Sequence, residues 1–242
     1  MGERLLAAGL LLVALAPLAW MLFGPRRSAP ADRGRYPMVL AASWLRFGLT
    51  TIVVLGVMGR WSALVLLPPE FAPVQVLLGV QELGAGERLY LAGAGGVGVA
   101  IGVAAGLVLS ACRAWRGKPE GTLFGDASAI RPGEPGDLGW AAAVAVTAGL
   151  TEEAYFRLLL PLLMVQVAGD AVVAFGVAAL LFGAAHRYQG WRGMAATAVV
   201  ALGLTSFYLT TGSLWAAMAV HAAGDLGHLV LRPAVRMSIQ RR

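Results

Sequence analysis

Long apolar runs set the limits on what this chain can become. Residues 5–23, 38–59, 89–111, 138–168, 170–186, 194–211 and 213–231 are each predominantly apolar. About 20 such residues carry a helix across the roughly 30 Å hydrocarbon core of a bilayer. Composition agrees, with 58% hydrophobic and 13% charged residues, where a soluble domain has about 25% charged. The expected fold is therefore all-α, a polytopic membrane helical bundle of about seven transmembrane helices, multi-pass in a cell membrane.

The charges between the runs orient the bundle. Residues 24–37 carry Arg26, Arg27, Arg33 and Arg35, and the Gly/Pro-rich loop 113–139 carries Arg113, Arg116, Lys118 and Arg131. Arg187 and Arg192 follow the fifth run, and Arg232, Arg236, Arg241 and Arg242 follow the last. Only Arg4, Arg60 and Arg88 fall on the other side. That bias places the C-terminus in the cytoplasm and the N-terminus outside. It also accounts for the net charge of +6, so no nucleic-acid partner is implied. The single cysteine, Cys112, excludes an internal disulfide and a thiolate metal cluster.

Residues 5–23 compete with a signal-peptide reading. Their apolar region exceeds the usual 7–15 or so residues and the charges follow it, which favours a retained first helix. Arg46 in the second run packs in the bundle or snorkels. Pro68 and Pro69 break any helix in 60–88, which is read as an external interfacial segment. The third run contains Gly95, Gly96, Gly98 and Gly102, small residues that would let it approach its neighbours closely as scaffold. Trp140, Trp191 and Trp215 suit interface anchors.

Against this background, Glu152, Glu153 and Arg157 lie inside the run 138–168. Each ionisable group within a membrane costs about 2.5–3.5 kcal/mol on insertion scales, so such a cluster marks a use. The other strongly polar groups within runs are His186, His221, Asp225 and His228. At roughly 100° per residue, positions four apart share a helix face. Glu153 pairs with Arg157, His221 faces Asp225, and Phe182 faces His186. Glu152 points about 100° from Glu153 and is left free. At 1.5 Å per residue, Glu152, His186, Asp225 and His221 lie roughly 5, 8, 10 and 16 Å inside the cytoplasmic boundary. All four can meet in the cytoplasmic half of the bundle.

A carboxylate beside a histidine in a low-dielectric cavity is equipment for activating water as a general base. A second histidine and a short polar side chain could hold an oxyanion. The same set could instead hold Zn2+ or another divalent metal with an open position for water. Blander roles are a structural ion-pair cluster for the glutamates and Arg157, and an interhelical clasp for His221 and Asp225. A proton-coupled transporter using the cluster as a relay is the alternative function. Inverted repeats and paired broken helices would favour it, and neither is visible.

Glu152-Glu153-x-x-x-Arg157, Phe182-x-x-x-His186 and His221-x-x-x-Asp225, each in its own run and in that order, resemble the CPBP (CAAX protease and bacteriocin-processing, or Abi) intramembrane proteases. The resemblance covers about 138–231. It divides the chain into an N-terminal scaffold (1–137), a catalytic helical core (138–232) and a basic cytoplasmic tail (233–242). It implies an intramembrane endopeptidase acting on a membrane-anchored peptide or protein. In that family the position of Glu152 is the general base, helped by that of His186. The positions of His221 and Asp225 serve the oxyanion or, in the metal version, join Glu152 and His186 as ligands. Glu153, Arg157 and Phe182 would be support. Two positions depart from the pattern, Leu158 where glycine is common and Asp225 where asparagine is common. An aspartate donates to an oxyanion only when protonated, so Asp225 better suits orientation of His221 or metal ligation. The alanine and arginine bias points to the inner membrane of a GC-rich bacterium.

Overall fold

The computed structural model describes residues 2–24, 33–119 and 130–241. Arg26, Arg27 and Arg242, counted above among the cytoplasmic charges, lie outside them. All regular structure among the described residues is helical. The long helices are α1 (Gly2–Phe23), α2 (Arg35–Val57), α3 (Ala85–Trp115), α4 (138–168), α5 (Ala171–Ala185), α6 (Gly190–Thr211) and α7 (Leu214–Gln240). By length and apolarity α1, α2, α3, α6 and α7 suffice to cross a membrane. Helix α5 is apolar but has only 15 residues, and α4 is long but carries the three charges. Large apolar side chains such as Leu12, Ile101, Val173, Leu180 and Val199 are exposed around the outside, as a lipid-facing surface requires.

Helix α4 is the centre. Its N-terminal half packs on α7 and α2, and its C-terminal half on α1 and α5. The contact with α7 depends on Gly149, where a Cβ would lie 2.8 Å from the Met218 carbonyl oxygen and 2.9 Å from the Ala222 nitrogen. Gly183 plays the same part between α5 and α6, its Cβ position lying 2.7 Å from the Met194 carbonyl oxygen. Helix α1 runs antiparallel to α4. Arg4 Nε donates to the Val167 carbonyl at 2.8 Å, and the Tyr155 hydroxyl donates to the Ala14 carbonyl.

The turns at one end of the bundle share a design. Helix α4 stops at Gly169 (φ 82°) and α5 starts at Asp170, whose carboxylate accepts from the Val173 N–H at 2.9 Å. Helix α6 stops at Gly212 (φ 68°), and Ser213 caps α7 by accepting from the Ala216 N–H at 3.1 Å. Each pair joins a left-handed C-terminal glycine to an N-cap oxygen, which satisfies backbone groups at both helix ends.

Three expectations need correction. The segment 60–88 has short helical turns up to residue 84 and then opens α3, and its Phe71 is buried against Phe175 (4.8 Å) and Tyr208 (6.4 Å). It plugs one end of the core as well as lying beside it. The glycines of α3 do not form a continuous tight seam: nothing lies within 4 Å of a Cβ placed at Gly96, Gly98 or Gly102, while Gly95 meets the Phe207 side chain and Gly106 the Arg232 side chain. Finally, residues 233–240 are not a separate tail, because α7 continues as helix through Arg232–Gln240 and packs on α3. There the Arg232 Nε donates to the Gly106 carbonyl at 3.3 Å.

Candidate active site

The site forms where three helices depart from regular α geometry or end. In α4 the turn Ala154–Leu159, just after the two glutamates, is π-helical and all six of its residues are buried. A second π turn, Trp44–Gly48 in α2, packs against it. Such single π turns carry one extra residue per turn and recur at functional sites. The two are joined by aromatic contact: Phe47 lies 4.9 Å from Tyr155 and 5.3 Å from Phe156, ring centroid to centroid.

Glu153 is fully buried and has two partners. Its Oε1 lies 2.6 Å from Nδ1 of His221 on α7, and its Oε2 lies 3.2 Å from the Nε of Arg157. A carboxylate oxygen facing a ring nitrogen at that distance accepts, so Nδ1 of His221 carries the proton. The other ring nitrogen, Nε2, lies 3.5 Å from Asp225 Oδ2. His221 is therefore bracketed by carboxylates at both nitrogens. The i, i+4 pairing of Glu153 with Arg157 and of His221 with Asp225 stands as expected. What the separate helices did not disclose is the Glu153–His221 bond that joins the two pairs across α4 and α7.

Phe182 on α5 is the hub beneath this cluster. The Arg157 guanidinium carbon lies 4.2 Å over its ring, within cation–π range. Phe156 meets it edge-on at 5.0 Å, His186 at 4.7 Å and His221 at 6.1 Å. His186 is the residue at which α5 ends rather than a residue within a continuing helix. Its Nδ1 lies 2.9 Å from the Phe182 carbonyl oxygen. A carbonyl only accepts, so Nδ1–H is the donor and Nε2 of neutral His186 keeps its lone pair. A 3-10 turn, Arg187–Gln189, then leads directly into α6. In that turn Tyr188, which the sequence reading passed over, lies with its ring 5.8 Å from that of His186.

Glu152 completes the group from the free face of α4. It is within electrostatic range of His186, His221, Asp225 and Arg157. Its Oε2 is buried and has no hydrogen-bond partner among the described residues. The structure thus brings Glu152, Glu153, Arg157, Phe182, His186, His221 and Asp225 together at one place. Among the described residues no three His, Cys, Asp or Glu side chains are placed to hold a metal ion. Both nitrogens of His221 already face carboxylates, so in this arrangement neither is turned to a metal.

At the entrance to α4, outside the membrane-spanning part, Asp137 fixes the incoming loop. Its carboxylate lies 2.9 Å from Arg33 Nε and accepts from the Gly133 N–H at 3.0 Å. Burial pushes this carboxyl up, but the Gly133 and Glu134 amides and Arg33 outweigh it and hold it below its ordinary value.

Residues 134–227 match the family model described as type II CAAX prenyl endopeptidase Rce1-like. No curated protein and no solved structure matches the chain. The match starts in the loop held by Asp137, contains the π turn of α4, and ends two residues beyond Asp225, leaving α1, α2 and α3 outside. It agrees with the CPBP resemblance read from the three motifs. Over residues 134–227, the part that holds every residue of the site, the chain is thus similar to the type II CAAX prenyl endopeptidase Rce1-like family of the CPBP proteins.

Proposed function

We propose that the protein is an intramembrane endopeptidase in which Glu152 is the general base. The observation that carries this reading is the contrast between the glutamates. Glu153 is spent on His221 and Arg157, whereas Glu152 holds a buried oxygen that bonds to nothing among the described residues. A water placed between Glu152 and the free Nε2 of His186 is held by two acceptors and keeps a lone pair for attack. Glu152 takes a proton from that water, and the oxygen attacks the scissile carbonyl carbon as the C=O electrons move to oxygen. Collapse of the tetrahedral intermediate reforms C=O and breaks C–N. The amine leaves with the proton returned from Glu152. General-base catalysis contributes about 10²–10⁴-fold to such a reaction.

The substrate in this reading is a membrane-anchored peptide or protein reaching the site within the cytoplasmic half of the bilayer, in a bacterial inner membrane. The arginine bias and the apolar outer surface support that location. The test uses purified protein in nanodiscs with a mixed set of membrane-derived peptides, read by mass spectrometry. Glu152→Gln is expected to lose cleavage by at least about 10²-fold, with a chelator leaving the wild type unaffected. Equal cleavage by wild type and Glu152→Gln sinks the assignment of the base, and loss on chelation moves the chemistry to a metal.

A further inference from the structure

The mechanism above lacks a donor for the oxyanion. The groups whose positions the family resemblance assigns to that task are already committed: Nδ1–H of His221 points at Glu153 and Nε2 faces Asp225. Asp225 as a carboxylate has only lone pairs to offer, and it would repel a developing negative charge. Arg157 has unpartnered nitrogens, but it is only 1% exposed and lies against the face of Phe182, on the closed side of the site.

Tyr188 has what these groups lack. It is about half exposed, at 48%, and its ring lies against His186. Its hydroxyl is within electrostatic range of both Glu152 and Asp225. The hydroxyl is also oriented. The Gln189 side-chain amide donates to it at 3.1 Å, and the Gln189 carbonyl oxygen accepts from the Thr197 hydroxyl of α6 at 3.5 Å. A hydroxyl that accepts from an amide keeps its own proton free to donate, and a hydrogen-bond chain strengthens that donation. We propose that the Tyr188 hydroxyl is a further catalytic group, donating a hydrogen bond to the oxyanion of the tetrahedral intermediate at the mouth of the site. No proton is transferred to the oxyanion; the phenol keeps its O–H bond throughout. The ring meanwhile packs against His186.

This inference rests on the endopeptidase reading, so its test uses a peptide that the wild-type protein cleaves. Tyr188→Phe keeps the ring against His186 and removes only the hydroxyl. The expected result is a fall in kcat of about 10²–10³-fold, the usual cost of one oxyanion donor, with KM within about twofold and Tm unchanged. Asp225→Asn supplies a neutral amide donor beside the site, and in the Tyr188→Phe background it should recover part of the lost kcat. A purely structural tyrosine would give no such rescue. If Tyr188→Phe keeps kcat within threefold of wild type, or loses activity through KM and Tm alone, the proposal is overturned. Glu152→Gln run alongside separates the two readings. Its loss of cleavage beside an active Tyr188→Phe removes only the oxyanion donor, and its full activity removes the general base.

Discussion

Helices α3 and α4 make an instructive pair. Both are long and rich in small and apolar residues, and α3 has no charged side chain between Arg88 and Arg113. Yet only 6% of its most apolar stretch is buried inside the bundle. Helix α4, which carries Glu152, Glu153 and Arg157, is the packed centre, with Leu158, Leu159, Leu160, Leu162 and Leu163 fully buried. In water this would be upside down. In lipid, apolar surface gains nothing by leaving the solvent, so burial follows the groups that lipid cannot satisfy and the small residues that let backbones meet. Charge marks the core here, and uniform apolarity marks the lipid face.

The sharpest way to break this contrast is at Arg157. Replacing it with methionine leaves Glu153 buried with only His221 for company. Loss of one member of a buried ion pair costs about 3–5 kcal/mol. We expect Arg157→Met to lower the Tm in detergent by the largest amount of any single change in α4. The double variant Glu153→Gln/Arg157→Met should lose less than the sum of the single variants, because the two groups act as a unit. Additivity would show that the pair is not coupled and that charge does not organise this helix. A smaller loss is expected at Gly149, where an added methyl meets the Met218 carbonyl and Ala222 nitrogen of α7. Backbone cannot rotate aside as a side chain does, so Gly149→Ala should cost about 1–3 kcal/mol, read as a lowered Tm together with reduced cleavage as His221 moves. An unchanged Tm would mean that α4 and α7 slide apart cheaply.

How much of this was legible in the sequence differs along the same divide. The helices and their order followed from apolar runs, and the pairs Glu153/Arg157 and His221/Asp225 from the 3.6-residue repeat. The bond between Glu153 and His221 did not follow. It joins helices 68 residues apart in sequence, and the rotation of one helix against another is set by packing, with Gly149 deciding how near α7 comes. The π turn at Ala154–Leu159 was also invisible, since nothing in its composition differs from an α-helical stretch. Tyr188 was missed because it falls between the fifth apolar run, 170–186, and the sixth, 194–211. The turn at Arg187–Gln189 is what sets the ring against His186.

Helix α3 offers the reverse test. Gly102 has no neighbour within 4 Å of where its Cβ would stand. Glycine within a helix is worse than alanine by roughly 0.5–1 kcal/mol. Gly102→Ala should therefore raise the Tm slightly and leave cleavage as it was. A clear loss of stability would show that another protein surface covers this face, and α3 would no longer stand as the lipid-exposed counterpart of α4.

The smallest effect lies at the entry to α4, where the cost of charge is set by water rather than by lipid. Asp137 is held below its ordinary value of 3.8 by Gly133, Glu134 and Arg33. A carboxyl whose folded value is depressed stabilises the fold fully at pH above 3.8 and loses that contribution as pH falls through the lower, folded value. The wild-type Tm should therefore decline on acidification below about pH 4 by more than that of Asp137→Asn, which has no proton to gain, and the two curves should run parallel above pH 5. Arg33 is half exposed, and water and salt screen pairs of this kind, so the gap should be small and should narrow in high salt. A gap as large as the Arg157 effect would mean that this loop, and not the buried pair in α4, is what fixes the catalytic helix in the bundle.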